Sequence, residues 1–432
     1  MKYYSTNHKS DDVTLRDAVV RGLAPDRGLY MPERLNKLSK EFFDNIDKMT
    51  FQEMSFEVAK AFFGEDIPEA DLKKIVYDTL AFPTPVVKVD ENIYSLELFH
   101  GPTLAFKDVG ARFMARLLGY FNKDEKQLVN VLVATSGDTG SAVANGFLGV
   151  EGVHVYVLYP KGKVSPIQEC QFTTLGQNIT AVEVDGVFDD CQALVKNAFM
   201  DAELNQRMKL TSANSINVAR FLPQAFYYFN AYARMKAQGK ADDLVMCVPS
   251  GNFGNICAAL FGHEMGLPIK RFIAANNAND IFYKYLQTGK YEPKPSKQTL
   301  ANAMDVGDPS NFARIYDLYG KSHERISSLI SGATYTDDEI RQTMKQCYEE
   351  TKYILDPHGA CGYQALADGL NPGEIGVFCE TAHPAKFKEK VDDILGIDVA
   401  IPDRLAAFMK GEKQSVPMTK DFADFKKYLL SE

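Results

Sequence analysis

The stretch LELFHGPTLAFKDVGARF, residues 96–113, joins a strand to a helix and sets a lysine at the junction. The apolar run 93–99 reads as a strand, ended by His100, Gly101 and Pro102. From Asp108 onward, Val109, Phe113 and Leu117 recur at helical spacing. This spacing places Asp108 or a neighbour at the cap and Lys107 just before the first turn. The amino end of a helix carries positive partial charge, so a cation is disfavoured there. The free amine, the form that attacks a carbonyl, is favoured instead. Taken alone, the stretch fits either a solvated lysine in a strand–helix loop or an activated amine.

Outward from this junction the same strand–loop–helix unit recurs. Strands are predicted over 93–98, 128–134, 153–158, 179–184, 244–248, 269–274 and 376–379, with helices over 141–147, 189–202 and 255–265 between several of them. Such alternation predicts an α/β protein with parallel sheets covered by helices on both faces. Residues 1–90 read differently, as a mainly helical region. Leu15, Val19 and Leu23 share one helical face, and 41–63 and 68–80 are amphipathic. AFPTPVVKV, residues 81–89, reads as an extended connector because of its two prolines. Residues 291–299 form a surface loop, and the charged tail after Pro402 ends in a helix over 422–430.

A chain of 432 residues is long enough for two or three domains with cores of their own. The net charge of −9 argues against a nucleic-acid surface, though local donors can still bind small anions. Seven cysteines are scattered without a CxxC pair, which suits a reducing cytoplasm rather than disulfides or zinc. The seven histidines are dispersed as well, so no metal is expected. The polar start MKYYSTNHKSDD is not a signal peptide. No apolar run of about eighteen residues suggests a membrane span.

Three loops follow the design of the opening stretch, and ligands in open parallel sheets bind where such loops gather. VLVATSGDTGSAVANGF (131–147) offers the hydroxyls of Thr135, Ser136 and Thr139 beside Gly137, Asp138 and Gly140. It suits a carboxylate or phosphate, or is simply a capped turn. VMCVPSGNFGNICAALFG (245–262) carries Ser250, Gly251, Asn252, Phe253, Gly254 and Asn255 before a helix. Two glycines flanking an aromatic exceed what a cap needs and allow close approach to a phosphate, yet the loop is neither GxGxxG nor a Walker motif. TSANSINVAR (211–220) presents Asn214, Ser215, Asn217 and Arg220, either an anion clamp or a polar loop with caps. Lys161 and Lys163 follow another strand in YPKGKVSP, Asp185, Asp189 and Asp190 read as helix caps, and CETAHPAKF (379–387) holds Thr381 and His383.

An activated lysine and a glycine-rich phosphate loop form the minimum kit for pyridoxal 5'-phosphate. With GLAPDRGLYMP, LELFHGPTLAFKD, ATSGDTGSAVA, YPKGKVSPIQ, DGVFDDCQ, ANSINVAR, VPSGNFGN, NAMDVGDPSNF and TAHPAKF in order from about residue 22 to 388, the chain resembles the threonine synthase family of fold-type II pyridoxal-phosphate enzymes, in its branch with a long amino-terminal region. The resemblance implies two open, twisted, mostly parallel sheets with flanking helices, plus the mainly helical region. It divides the chain into 1–90, a large cofactor-binding domain of 91–111 and 226–432, and a small mobile domain of 112–225. It implies a lyase of threonine biosynthesis converting O-phospho-L-homoserine and water to L-threonine and phosphate, by γ-elimination and β-addition of water.

By motif position, the resemblance makes Lys107 the Schiff-base lysine and Ser250 to Asn255 the cradle of the cofactor phosphate. Thr381 would face the ring nitrogen as a neutral partner, with Asp138 near the ring hydroxyl. Thr135, Ser136, Gly137 and Thr139 would hold the substrate carboxylate. Asn214, Ser215, Asn217 and Arg220, with Lys161, would hold its phosphate. One departure stands beside Thr381: Glu380 occupies a position where the family has a small residue, and its direction decides whether the ring nitrogen keeps a neutral partner. A rival on the same scaffold eliminates phosphate and yields 2-oxobutyrate. A rival of another class binds the cofactor without catalysis.

Overall fold

The computed structural model describes all 432 residues. Its strands, in chain order, are β1 (Lys2–Ser5), β2 (Val13–Thr14), β3 (Tyr30–Pro32), β4 (Val86–Asp90), β5 (Ile93–Glu97), β6 (Val129–Ala134), β7 (Val153–Pro160), β8 (Ile179–Asp185), β9 (Lys209–Ser212), β10 (Leu244–Pro249), β11 (Arg271–Asn276), β12 (Ile330–Thr334), β13 (Ile375–Glu380) and β14 (Val416–Thr419). They form a six-stranded sheet in the order β12-β11-β10-β13-β5-β4 and a five-stranded sheet in the order β14-β8-β7-β6-β9. Pairing is parallel throughout both sheets except between β4 and β5. The apolar runs that predict the strands are the ones helices cover on both sides: every residue of β6 and of β10 is buried.

Several expectations need correction. The amino-terminal region also contains a three-stranded antiparallel sheet, β2-β1-β3. These strands span only two to four residues, too few to show a period of two. The connector 81–89 is partly strand: β4 pairs with β5 from Val86 onward. Lys107 is the first residue of its helix, Lys107–Asn122, rather than the residue before it. Asp108 does not cap that helix. Phe106 is the cap residue without a side-chain bond, and the Asp108 carboxylate accepts from the Thr103 N–H and hydroxyl. The carboxyl-terminal tail does not stay with the large unit. β14 pairs with β8, and Met418, Phe425 and Leu429 share the core of the small sheet with Val182, Val184 and Leu194. That pairing links positions over 200 residues apart, and no local pattern announces it.

Topology gathers the loops. β5, β13 and β10 are parallel neighbours, with Glu97 opposite Glu380 and Cys247 opposite Phe378. Their carboxyl ends therefore release the Lys107, Thr381 and Ser250 loops side by side. β6 and β9 are likewise neighbours and release the Thr135 and Asn214 loops. The Lys107 helix is fixed beneath by Phe113, whose ring lies 5.2 Å from Phe63 and 5.9 Å from Phe226. Burial of such a ring contributes about 2 kcal/mol, so the amino-terminal helices help hold the lysine in place.

Candidate functional site

Lys107 stands half-buried at the start of its helix and donates from Nζ to the Thr139 hydroxyl at 2.9 Å. That bond joins the helix Lys107–Asn122 to the helix Asp138–Phe147. Burial is the main influence on the amine, and Arg220 and Lys386 add to it; Asp138 opposes them. The result is a pKa pushed down from 10.5 to about 8. Desolvation, rather than the helix start alone, is the chief cause of that lowering. The loop before it is strained, because Leu104 has φ +62°. The carbonyl of Phe106's partner Thr381 accepts the Phe106 N–H at 2.8 Å, which brings Thr381 beside the lysine. The Thr381 hydroxyl is 93% buried as part of its residue and makes no bond within the protein.

The second loop is built as a cradle. The backbone N–H groups of Gly251, Asn252, Phe253, Gly254 and Asn255 donate to no acceptor in the protein. They lead into the helix Gly254–Glu264, whose amino end adds its dipole. Side chains hold the loop open: Ser250 Oγ donates to Asn255 Oδ1 at 3.0 Å, and Asn255 Nδ2 to the Pro249 carbonyl at 2.9 Å. Phe253 takes the left-handed conformation, φ +67°. At Gly251 a Cβ would lie 2.6 Å from the Ala303 carbonyl oxygen, so only glycine fits. Consecutive N–H groups at a helix start form an anion nest. Ser250 and Asn255 serve it by shaping the loop with their side chains.

A smaller cradle lies at the start of the helix Asp138–Phe147. The N–H groups of Ser136, Asp138 and Thr139 are without acceptors in the protein. Thr135 is the organiser of this turn: its Oγ1 accepts from the N–H of Gly137 at 2.9 Å and of Gly140 at 2.8 Å. Gly137 has φ +146°, and a Cβ there would sit 2.5 Å from the Gln168 side chain. Asp138 is buried and would titrate higher for that reason; Lys386 and Lys107 reverse the effect and hold it at about 2.

In the third loop, Ser215 accepts from Asn252 Nδ2 at 2.7 Å and so lies beside the nest. The half-buried Asn214 side chain makes no bond within the protein. Arg220 is 2% exposed, donates to the Ala213 carbonyl, and leaves Nε without a partner. Burial lowers it to about 10. Asn217 does not belong with them. Its amide donates to the Val19 and Ser212 carbonyls and accepts the Ala219 N–H, so it retains no donor for an anion. Lys161 stands exposed beyond β7, where its charge acts on Glu183, and no bond joins it to the Lys107 cluster.

Glu380 turns away onto the helix Pro357–Gly369. Its Oε1 accepts the Asp356 N–H at 3.1 Å, and Oε2 lies where a Cβ on Gly359 would be. Burial and the neighbouring Asp356 carboxylate push the Glu380 pKa well up. His358 donates from Nδ1 to Asp356 at 2.5 Å and accepts the Ala303 N–H on Nε2. Glu380 is thus directed onto the 356–359 segment rather than toward the site of Thr381.

Sequence reasoning missed Lys386 and Arg314. Lys386 is 1% exposed and lies 2.5 Å from Asp138. It sits between Ala385 and Phe387, and an apolar setting was its only signal. Arg314 is fully buried over the Phe221 ring at 4.0 Å. It donates to the carbonyls of Tyr30, Ser215 and Ile216 and to Asn311, tying the amino-terminal sheet to the third loop.

No helix is long and apolar enough to cross a membrane. Three family models match the chain: pyridoxal-phosphate dependent enzyme over 78–379, threonine synthase N terminus over 2–80, and threonine synthase, C-terminal, over 359–429. The chain is 46% identical to a threonine synthase of Haemophilus influenzae over 430 residues, covering 100% of both. The crystal structure of Escherichia coli threonine synthase matches with a TM-score of 0.93 at 45% identity over 100% of both chains. The PLP-bound threonine synthase of Brucella melitensis matches with a TM-score of 0.94 at 34% identity, over 99% of this chain and 98% of that one.

Proposed function

The chain belongs to the threonine synthase family of pyridoxal-phosphate enzymes, and on that footing we propose that it converts O-phospho-L-homoserine and water to L-threonine and phosphate in the cytoplasm. The observation that carries this reading is the pairing of a half-desolvated amine, Lys107, with a nest of unpaired N–H groups beside it. The nest fits the cofactor phosphate. Gly251 allows the close approach, and Asn252 and Ser215 brace the rim. When bound, pyridoxal phosphate supplies an electron-withdrawing ring that acidifies the substrate Cα.

The chain's own residues do the rest. Lys107 would hold the cofactor and, as the free amine, would take the Cα proton of the substrate. A pKa near 8 leaves a usable fraction of free amine at neutral pH. The Thr139 hydroxyl orients that amine. Thr381 would offer the ring nitrogen a neutral hydroxyl, and the turn of Glu380 onto the Asp356 N–H supports that role. The N–H groups of Ser136, Asp138 and Thr139 receive the substrate carboxylate, in a turn that Thr135 and Gly137 shape. Asn214, Ser215 and Arg220 hold the substrate phosphate, with Arg220 Nε the group that lacks a partner without it. Asn217 sets the loop and Lys161 guides anions at the rim.

The unit that moves is built on the β14-β8-β7-β6-β9 sheet, and closes 112–225 with 416–431 over the substrate. Incubation of the purified protein with O-phospho-L-homoserine and identification of the organic product tests the reading. L-threonine with stoichiometric phosphate is expected. 2-Oxobutyrate would overturn the β-addition of water, and no product at all would overturn the enzyme.

A further inference from the structure

The reaction proposed for Lys107 leaves Lys386 without a role. Its side chain has 0% exposure, and its Nζ lies 2.5 Å from Asp138 Oδ1 and donates to the Thr103 carbonyl at 2.8 Å. Asp138 receives only one further side-chain bond, from Gln168 Nε2 at 3.1 Å. Asp138 is followed directly by Thr139, the hydroxyl that Lys107 grips at 2.9 Å. A carboxylate–ammonium pair held out of water therefore lies one residue from the hydroxyl that holds the reactive amine. Burying an ammonium completely is unfavourable unless a partner requires it. A plain packing role would be met by methionine at lower cost.

The electrostatics identify the requirement. An unshielded carboxylate beside Lys107 would hold that amine as ammonium, which neither attacks a carbonyl nor takes a proton. We propose that Lys386 is a positioning residue that cancels the charge of Asp138 at Lys107, so that the reactive amine is not locked in its cationic form. This rests on the reading of Lys107 as the reacting amine. The charged groups facing Lys107 are Asp138 from the helix Asp138–Phe147, Arg220 from the third loop and Lys386 from the segment after β13. Asp108, on Lys107's own helix, acts on Arg220 and is itself acted on by Lys386. Asp138 raises the amine; Arg220 and Lys386 lower it. Removing either member of the pair alone must therefore move Lys107 in opposite directions, and removing both must nearly restore it.

The test uses the full chain freed of pyridoxal phosphate. Competitive acetylation over a pH series, read by mass spectrometry on the Lys107 peptide, gives the midpoint of that amine. Lys386→Met should raise the midpoint on the order of one pH unit. Asp138→Asn should lower it, and the double variant should return close to the parent. Lys386→Arg, which keeps the charge, should stay near the parent. Equal midpoints in Lys386→Met and the double variant would overturn the proposal, because a packing role is indifferent to Asp138. If Lys386→Met does not fold, Asp138→Asn alone decides: an unchanged or raised midpoint overturns it. Borohydride reduction of the cofactor-loaded parent, followed by peptide mapping, separately tests which lysine carries the cofactor. A label elsewhere than Lys107 removes the premise, and is distinguishable from unchanged midpoints.

Discussion

Replacing Gly251 by Ala tests the anion nest directly. The new Cβ would lie 2.6 Å from the Ala303 carbonyl oxygen and 2.9 Å from Met304 Cα, where ordinary contact begins at 3.4 Å. One side must retreat by about 0.8 Å. The 301–304 segment is the less able to move. The Ala303 N–H is held by His358 Nε2 at 3.0 Å, and the Met304 N–H by the Ala301 carbonyl at 3.0 Å. The nest moves instead, and hydrogen bonds stretched by that much lose most of their strength. With two bonds to a phosphate weakened, each worth about 1.5 kcal/mol or more, affinity for pyridoxal phosphate should fall by about 3 kcal/mol, or roughly 150-fold. Calorimetric titration of the cofactor into cofactor-free protein measures this, with a melting curve to show that the fold is kept. A dissociation constant within threefold of the parent in a folded variant would refute the nest as the phosphate site.

The remaining predictions concern the lysine, the two asparagines and the buried carboxyl. Lys107→Ala should lower turnover by about 10³-fold or more, measured by phosphate release, and borohydride should fix no cofactor to it. Lys107→Met should stabilise the cofactor-free protein. The folded pKa of about 8 lies below the ordinary 10.5, so the charged amine penalises the fold fully below pH 8 and not at all above 10.5. Urea denaturation should show a gain of about 2–3 kcal/mol at pH 7 that declines from pH 8 and is gone by pH 10.5, and a pH-independent difference would contradict it. Asn214→Ala should raise KM for the phosphorylated substrate, whereas Asn217→Ala should cost about 1–3 kcal/mol of stability by removing its bonds to the Val19 and Ser212 carbonyls and the acceptor of the Ala219 N–H. Glu380→Gln should be as stable as the parent or more so at pH 8. A carboxyl whose pKa is raised by burial and Asp356 weighs on the fold increasingly above its ordinary value. A lower melting temperature at pH 8 than at pH 5, relative to the parent, would show that Glu380 is ionised in the fold.

The sequence alone determined the strand–loop–helix repeat, and with it the parallel sheets and the loops that carry Lys107, Ser250–Asn255 and Thr381. These are local features: an apolar run wide enough to be buried on both faces, a glycine where the backbone must approach, a helix start beyond it. Three results required the tertiary structure. β14 joins the small sheet through a partner more than 200 residues away. Asn217 and Asn214 look alike in TSANSINVAR, yet only contact with Val19 shows that Asn217 is spent on holding the loop. Lys386 and Asp138 are ordinary charged residues far apart in the chain, and their 2.5 Å pairing out of water behind Lys107 is what gives them meaning. Periodicity and turn chemistry are written in neighbouring residues, but the pKa of an amine is set by whatever charges and low-dielectric surfaces the fold brings within a few ångströms of it.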